Sequence, residues 1–578
     1  MSKRIIGICL RGGIVCAAYL YTSWLFFAPI FWTLTGPVKS FEEGLQQVFA
    51  RSDGHGLLIG GGIDLIGTLW IFSNAKSIFE GEHGTILSEV YAPIGFDLGK
   101  NTGFAWADAA LSWPLMSFLE GSSFYNAHVL LTLFLSQVGV YVFLRAWKTP
   151  FWIALPLASF VIFNPFVIQE VFQGRPTQVH LVFHGLFLLC IAKIAQKGHW
   201  VWSLFGGFFL AASCLVYWFS GAAIGFCGIL LILLCSQNLR KSITRLLLLG
   251  CVSLLMILPI TWRVSSLFLS GTGASSFAQI RRQPIAEIEL FPRSIPIQNW
   301  LYTSTWSDVW IYLQGLLPSM ILWLAIFSLL IVRNRFRVAL LLLIAVSLPI
   351  EGALVLPNQW WFPTGYAFLQ TIFPPLTRCT VPERMMVAGL FITFFVIALG
   401  LTRIVRMGKS VISRSFLSFA LGSILVVLAL QGKPQKDNGN YSRHHIDKSY
   451  LSYTKKYPGG LIDVPLIASE KTYVQQRYHK QKIIGGPGQD SVRPFSHRRY
   501  YQRNTLLKGL ERLAEHGKTR SVRELDRKQL WNDGFRLVVV HMNLSKATQA
   551  SYEELIGAKG ELDTRKNRLY IALPNPNQ

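Results

Sequence analysis

Apolar runs long enough to cross a bilayer alternate with polar stretches over the first 431 residues. About eleven of them fall near 13–34, 126–146, 150–167, 179–195, 201–218, 221–236, 246–262, 311–332, 338–356, 384–402 and 415–431. Most approach the ~20 apolar residues that a helix needs to traverse about 30 Å of hydrocarbon. The run at 150–167 is short and contains Pro156, which predicts a kink or a tilt. Beyond residue 431 the pattern changes. Gln431–Tyr450 is polar and reads as a linker. Gly460–Pro465, Arg536–His541 and Arg568–Leu573 then read as strands, and 500–516 and 546–558 have helical spacing. The expected architecture is a polytopic α-helical membrane protein over 1–431, a linker over 432–459, and a C-terminal extracytoplasmic α/β domain over 460–578.

Basic residues assign the sides. Arg145/Lys148, Lys193/Lys197, Arg240/Lys241/Arg245, Arg333/Arg335/Arg337 and Arg403/Arg406/Lys409/Arg414 fall in every second loop, and such loops are cytoplasmic. The N-terminus is then cytoplasmic, and an odd number of spans in a plasma membrane puts the C-terminal domain outside. Lys3, Arg4 and Arg11 precede or enter the first apolar run without a clean small-residue cleavage site after it, so it reads as an uncleaved signal anchor. Inner loops are minimal. The outside holds a long first loop (35–125), the turn Gln169–Gln178, the loop Arg263–Trp310, and Pro357–Glu383.

Composition agrees with a multi-pass protein in a lipid bilayer. The 578 residues are 51% hydrophobic and only 15% charged, too few charges to cover a soluble protein of this size. The net charge of +25 sits at the ends of apolar runs and in the C-terminal region. That pattern argues against nucleic acid as a partner and is compatible with anionic head groups. Eight cysteines without a CxxC make neither a disulfide framework nor a zinc site.

Candidate chemistry concentrates outside. The first loop contains Gly60-Gly61-Gly62-Ile63-Asp64 and then an amphipathic run, Leu65 to Phe79, which puts a carboxylate at the start of a helix near the membrane surface. Asp64 fits a general base or an anchor for a divalent cation, magnesium or manganese; it equally fits a helix cap. The loop's other acids are Glu80, Glu82, Glu89, Asp97 and Asp108. Glu89 and Asp97 flank the aromatic turn Tyr91–Phe96, where one of them is a candidate second acid or a ligand for sugar hydroxyls. Arg175 is the one basic residue in the second outer turn, and its guanidinium suits a phosphate or a pair with Glu170. Arg281, Arg282, Arg378 and Arg384 add outer cations that suit a lipid phosphate or ordinary anionic lipids. Glu351, an acid in an apolar run, points to a cavity or a partner charge such as Arg384.

These features resemble the GT-C superfamily of membrane glycosyltransferases. The residues that carry the resemblance are Gly62-Ile63-Asp64 with the following helix, Tyr91-Ala92-Pro93-Ile94-Gly95, Phe163-Asn164-Pro165-Phe166 and Thr380-Val381-Pro382-Glu383-Arg384. Later ones are Ile462-Asp463-Val464-Pro465, Gly485-Gly486 and Gly534 to His541. The resemblance implies transfer of a sugar from a polyprenyl-phosphate carrier to a glycan or protein acceptor on the outer face. Asp64 would be the base, and arginines such as Arg175 or Arg378 would hold the leaving phosphate. Paired acids are common in the superfamily's first loop; here one stands directly after the first span, and Glu89, Asp97 and Asp108 are candidates for the second. The competing readings are a transporter or lipid-linked-glycan flippase, and a non-catalytic scaffold for envelope assembly. A flippase predicts charges deep in several spans, and these are scarce.

Overall fold

The computed structural model describes residues 3–26, 57–269, 319–363, 382–431 and 441–576, less 62, 102–104, 120, 333, 349–352, 356–360, 444–446, 467–474, 477, 487–494, 519–520 and 543–544. Arg281, Arg282, Glu351 and Arg378 lie outside the described residues. The chain divides into two compact units. The first comprises Met1–Gly61, Phe104–Pro259 and Gln279–Arg443; the second comprises Gly62–Gly103, Ile260–Ala278 and His444–Gln578.

The first unit is helical. It opens with α1 (Lys3–Trp24) and a short strand β1 (Leu57–Ile59); the next helix, α2 (Ile63–Phe79), belongs to the second unit. After α3 (Trp106–Phe118) come α4 (Gly121–Ala146), α5 (Phe151–Ser159), α6 (Pro165–Phe172), α7 (Val182–Lys197), α8 (Val201–Val216), α9 (Trp218–Cys235) and α10 (Leu239–Leu269). Then follow α11 (Ser319–Ile331), α12 (Arg335–Ser347), α13 (Met386–Met407) and α14 (Val411–Gln431). Among the described residues six helices are long and apolar enough to span a membrane: Ser123–Ala146, Pro176–Gln196, Trp218–Cys235, Leu239–Trp262, Met386–Met407 and Val411–Ala429. Two of these carry large apolar side chains outward, including Leu254, Leu255 and Trp262 on α10 and Ile412 and Phe416 on α14. Such a surface is tolerable in lipid, not in water.

The helix α13 is the core of this unit, buried along nearly its whole length. Phe143 of α4 and Trp147 just beyond its end pack on its Phe395, with ring centroids 5.9 and 4.8 Å apart. The run expected as one kinked span at 150–167 is instead two short helices. Asn164 accepts the amide of Phe166 at 2.9 Å and Pro165 takes the first helical position, so α6 starts afresh. At 1.5 Å per residue neither piece crosses a bilayer by itself.

One tight helix crossing in this unit is set by glycine. A Cβ on Gly185 of α7 would lie 2.2 Å from the carbonyl carbon and oxygen of Gly139 on α4. Small residues let helix backbones meet this closely in membranes. Because the obstacle is backbone, Gly185→Ala should push the helices apart at a cost of about 1–3 kcal/mol or more. A thermal melt of the purified protein checks this, and an unchanged midpoint would mean the crossing has slack.

The second unit is mixed. Besides α2 it holds the hairpin of β2 (Ile86–Leu87) and β3 (Phe96–Asp97), with Ile86 opposite Asp97. The first unit holds the pair β4 (Ala353–Val355) and β5 (Trp361–Pro363), and β6 (Tyr441–Arg443), which pairs with β1; the main sheet of the second unit is made of β7 to β10. It contains β7 (Gly460–Val464), β8 (Phe535–His541), β9 (Gly560–Asp563) and β10 (Arg568–Ala572) in the order β7-β8-β10-β9. β7 and β8 are parallel; the other pairs are antiparallel. Helix α15 (Lys448–Lys456) precedes the sheet, α16 (Phe495–Arg503), α17 (Thr505–His516) and α18 (Glu524–Asn532) cross from β7 to β8, and α19 (Lys546–Ile556) leads to β9. The helical run at 500–516 is split because Asn504 caps α17 through the amide of Leu507 at 3.1 Å. The core packs Ile462, Val464, Leu507, Val538, Val540 and Ile571 together with Ala92 of the first loop.

Attaching the whole first loop to the membrane body, as the sequence pattern suggests, misses this last contact. Ile483 donates its amide to Glu89 O at 2.7 Å, and Tyr91 and Ala92 donate theirs to Gly485 O at 2.8 Å and Ile483 O at 3.1 Å. The loop thus extends the sheet beside β7, whose Leu461 bridges in parallel to Ile483.

Candidate functional site

Asp64 is the second residue of α2 and is half-buried. Within the first turn a carboxylate faces amides with no helical acceptor and is favoured by the helix dipole. Leu65, Leu69, Phe72 and Ala75 are buried on the helix, a spacing that fixes its rotation and so the direction of Asp64. Glu89 is half-buried, accepts the hydroxyl of Ser88 at 2.7 Å, and supplies its carbonyl to the extended sheet. Asp97 sits in β3, also half-buried. Among the described residues no three His, Cys, Asp or Glu gather where they could hold a metal ion.

In the helical unit, Arg175 faces Glu170 at 3.4 Å, and the carboxylate is almost fully enclosed. The pair with Glu170 considered for Arg175 is thus present. Arg384 stands in the short turn Pro382–Met385 before α13. It donates to the Tyr217 hydroxyl at 2.8 Å and lies 5.6 Å from that ring's centre. Tyr217 is the single extended residue between α8 and α9. The preceding Val216 accepts the amide of Ala105, where α3 begins, at 3.0 Å.

A seam of buried polar side chains starts from the same α3. Ser112 bonds His128 Nδ1 at 2.7 Å; His128 stacks on His180 with centroids 6.3 Å apart; His180 Nδ1 meets the Thr132 hydroxyl at 3.3 Å. His184 Nε2 bonds Ser220 at 3.0 Å, and Ser220 in turn bonds the Tyr217 carbonyl. Three histidines inside apolar helices are a signal the sequence does carry, since ionisable groups are rare there. Only the fold shows that they join.

Asp108, in the first turn of α3, is fully buried, and its oxygens make no hydrogen bond of ordinary geometry among the described residues. Burial pushes its pKa up to about 7, and the nearby Thr177 side chain and the amides at the helix start only partly counter this. The unfolded carboxyl titrates near 4, so the folded state holds an extra proton between about pH 4 and 7 and loses stability as pH rises through that window. Asp108→Asn should stabilise the fold at pH 8 by up to roughly 4 kcal/mol, seen as a higher thermal midpoint, with little change at pH 4. Equal shifts at both pH values would rule out the titration.

The second unit has a further network that sequence reading missed. Asp463 of β7 is buried and takes hydrogen bonds from His541 Nε2 at 2.6 Å and from the Tyr450 hydroxyl at 3.2 and 3.3 Å. Arg568 donates from Nε to His541 Nδ1 at 3.0 Å and pairs with Asp447, whose carboxyl is held below its usual range. A guanidinium only donates, so Nδ1 is bare and the imidazole is neutral with its proton on Nε2. The network ties the ends of β7, β8 and β10 to the start of α15. Every polar atom described in it is engaged, which suits a clamp better than a reacting centre.

No protein-family model matches the chain, and comparison with curated proteins finds no match. Solved structures do match. A mutant form of the mycobacterial arabinofuranosyltransferase AftD aligns with all of this chain at TM-score 0.50 and 13% identity, covering 42% of that protein. The likeness is one of fold. Another AftD structure gives TM-score 0.48 at 13% identity, with coverage of 100% and 40%. The Archaeoglobus fulgidus oligosaccharyltransferase, tethered to an acceptor peptide, gives 0.43 at 13% identity, with coverage of 97% and 74%. The chain thus spans less than half the length of AftD.

Proposed function

We propose that this chain is a GT-C-type glycosyltransferase that moves a sugar from a polyprenyl-phosphate carrier to a glycan or protein acceptor on the extracytoplasmic face. The observation that carries the reading is Asp64, a part-exposed carboxylate in the first turn of the first-loop helix, in a chain with the fold of an arabinofuranosyltransferase. Asp64 takes the proton of an acceptor hydroxyl as that oxygen attacks the anomeric carbon. The bond from that carbon to the phosphate oxygen breaks in the same displacement, and configuration inverts. A guanidinium offsets the charge that grows on the leaving phosphate. Arg175, Arg378 and Arg384 are the candidates for that guanidinium. The outer unit, with its basic surface, would receive the acceptor.

Mass spectrometry of lipid-linked sugars and surface glycans, with and without the gene, tests the reading. Loss of the gene should cause a polyprenyl-phosphate sugar to accumulate and one glycan linkage to disappear. Accumulation of a finished lipid-linked glycan would make the protein a flippase instead.

A further inference from the structure

The transfer step leaves two sequence features without a role, the aromatic turn at Tyr91 and the pair Gly485-Gly486. The second unit brings them together. Tyr91 has a left-handed backbone, φ 52°, which a residue with a Cβ adopts at a cost of about 1–3 kcal/mol and keeps only where its surroundings force it. Here the forcing is visible. Its amide is held by Gly485 O at 2.8 Å, and its side chain is 3% exposed. The ring lies edge-on to His497 at 5.2 Å and against Phe96 at 5.6 Å. A Cβ on Gly486 would stand 2.6 Å from Tyr91 Cε2, so only glycine leaves the ring its seat. Phe96 passes the contact on: it meets Trp70 of α2 edge-on at 6.2 Å, less than two turns from Asp64.

We infer that Tyr91 is a positioning residue for Asp64, and that the outer sheet, gripping the first loop at Tyr91 and Gly486, sets where α2 and its carboxylate stand. The outer unit is then part of the catalytic frame as well as a receptor for the acceptor. The inference rests on Asp64 being the base; its structural half, the hold on α2, does not.

Hydrogen exchange on the full-length protein, read by mass spectrometry, tests that half directly. In Tyr91→Ala and Gly486→Ala the amides of 65–79 should exchange at least about tenfold faster, while those of β7 and β8 keep their protection. Tyr91→Phe, which preserves the ring, should match the wild type. Unchanged exchange over 65–79 in both variants overturns the inference. So does a loss spread over the whole sheet, which would mean that the two residues only stabilise the unit. For the catalytic half, displacement of about 1 Å costs on the order of 10²-fold. With the carrier-linked sugar that accumulates in cells lacking the gene, kcat should fall by about that factor and KM should change little; a rise in KM alone would place Tyr91 in substrate binding. If the wild type transfers no sugar, the functional proposal fails, and exchange over 65–79 still decides the hold on α2.

Discussion

Asparagine at position 64 should leave the protein folded and lower sugar transfer by about 10²- to 10⁴-fold, the range over which a positioned general base contributes. Asparagine keeps the size of the side chain and its polarity in the first turn of α2, and the helix loses the charge–dipole part, about 0.3–1 kcal/mol. What it removes is the ability to take a proton from the acceptor hydroxyl. Asp64→Ala should be equally inactive and slightly less stable. The measurement is quantitation of the linked sugar in cells that carry each variant at wild-type levels. Unaltered glycans in both would remove Asp64 from the chemistry and leave the protein a scaffold or carrier.

The second large effect is on folding. Asp463→Ala should destabilise the second unit by about 2–6 kcal/mol, as two buried donors lose their charged acceptor at about 1–3 kcal/mol each. The neutral His541 would keep its Nε2 proton with no acceptor, and the Tyr450 hydroxyl would lose both of its contacts. Against a typical net stability of about 5–15 kcal/mol that loss is severe. Limited proteolysis should then cut within 444–578 while the helical unit stays intact. Resistance equal to that of wild type would show that the network contributes little, as replaced buried pairs sometimes do.

The helices of the membrane unit are legible from apolar run length, because lipid demands a long uninterrupted helix whatever its neighbours are. The run at 150–167 is instructive: Pro156 predicts a kink or a tilt, whereas the helix stops and α6 starts afresh at Asn164-Pro165. In the second unit β7, β8 and β10 stand out as β-branched runs, whereas β9, Gly560–Asp563, is largely exposed and offers no apolar pattern to read. Asp64 is visible because it opens a helix straight after the first span. The histidine seam and the Asp463–His541–Arg568 clamp are not, since each joins residues from separate elements. Pairing of Glu89–Ala92 with Ile483–Gly485 is hidden for the same reason, joining segments hundreds of residues apart.

That pairing bears on how the outer unit can be handled. Severed from the rest of the chain, residues 444–578 would bare a row of backbone donors and acceptors at Ile483–Gly485 and lose Ala92 from their interior. An unpaired edge of this kind recruits whatever strand is at hand, commonly one from an identical neighbour. A well-behaved soluble fragment therefore needs residues 86–97 supplied alongside, as a grafted donor strand completing the ladder.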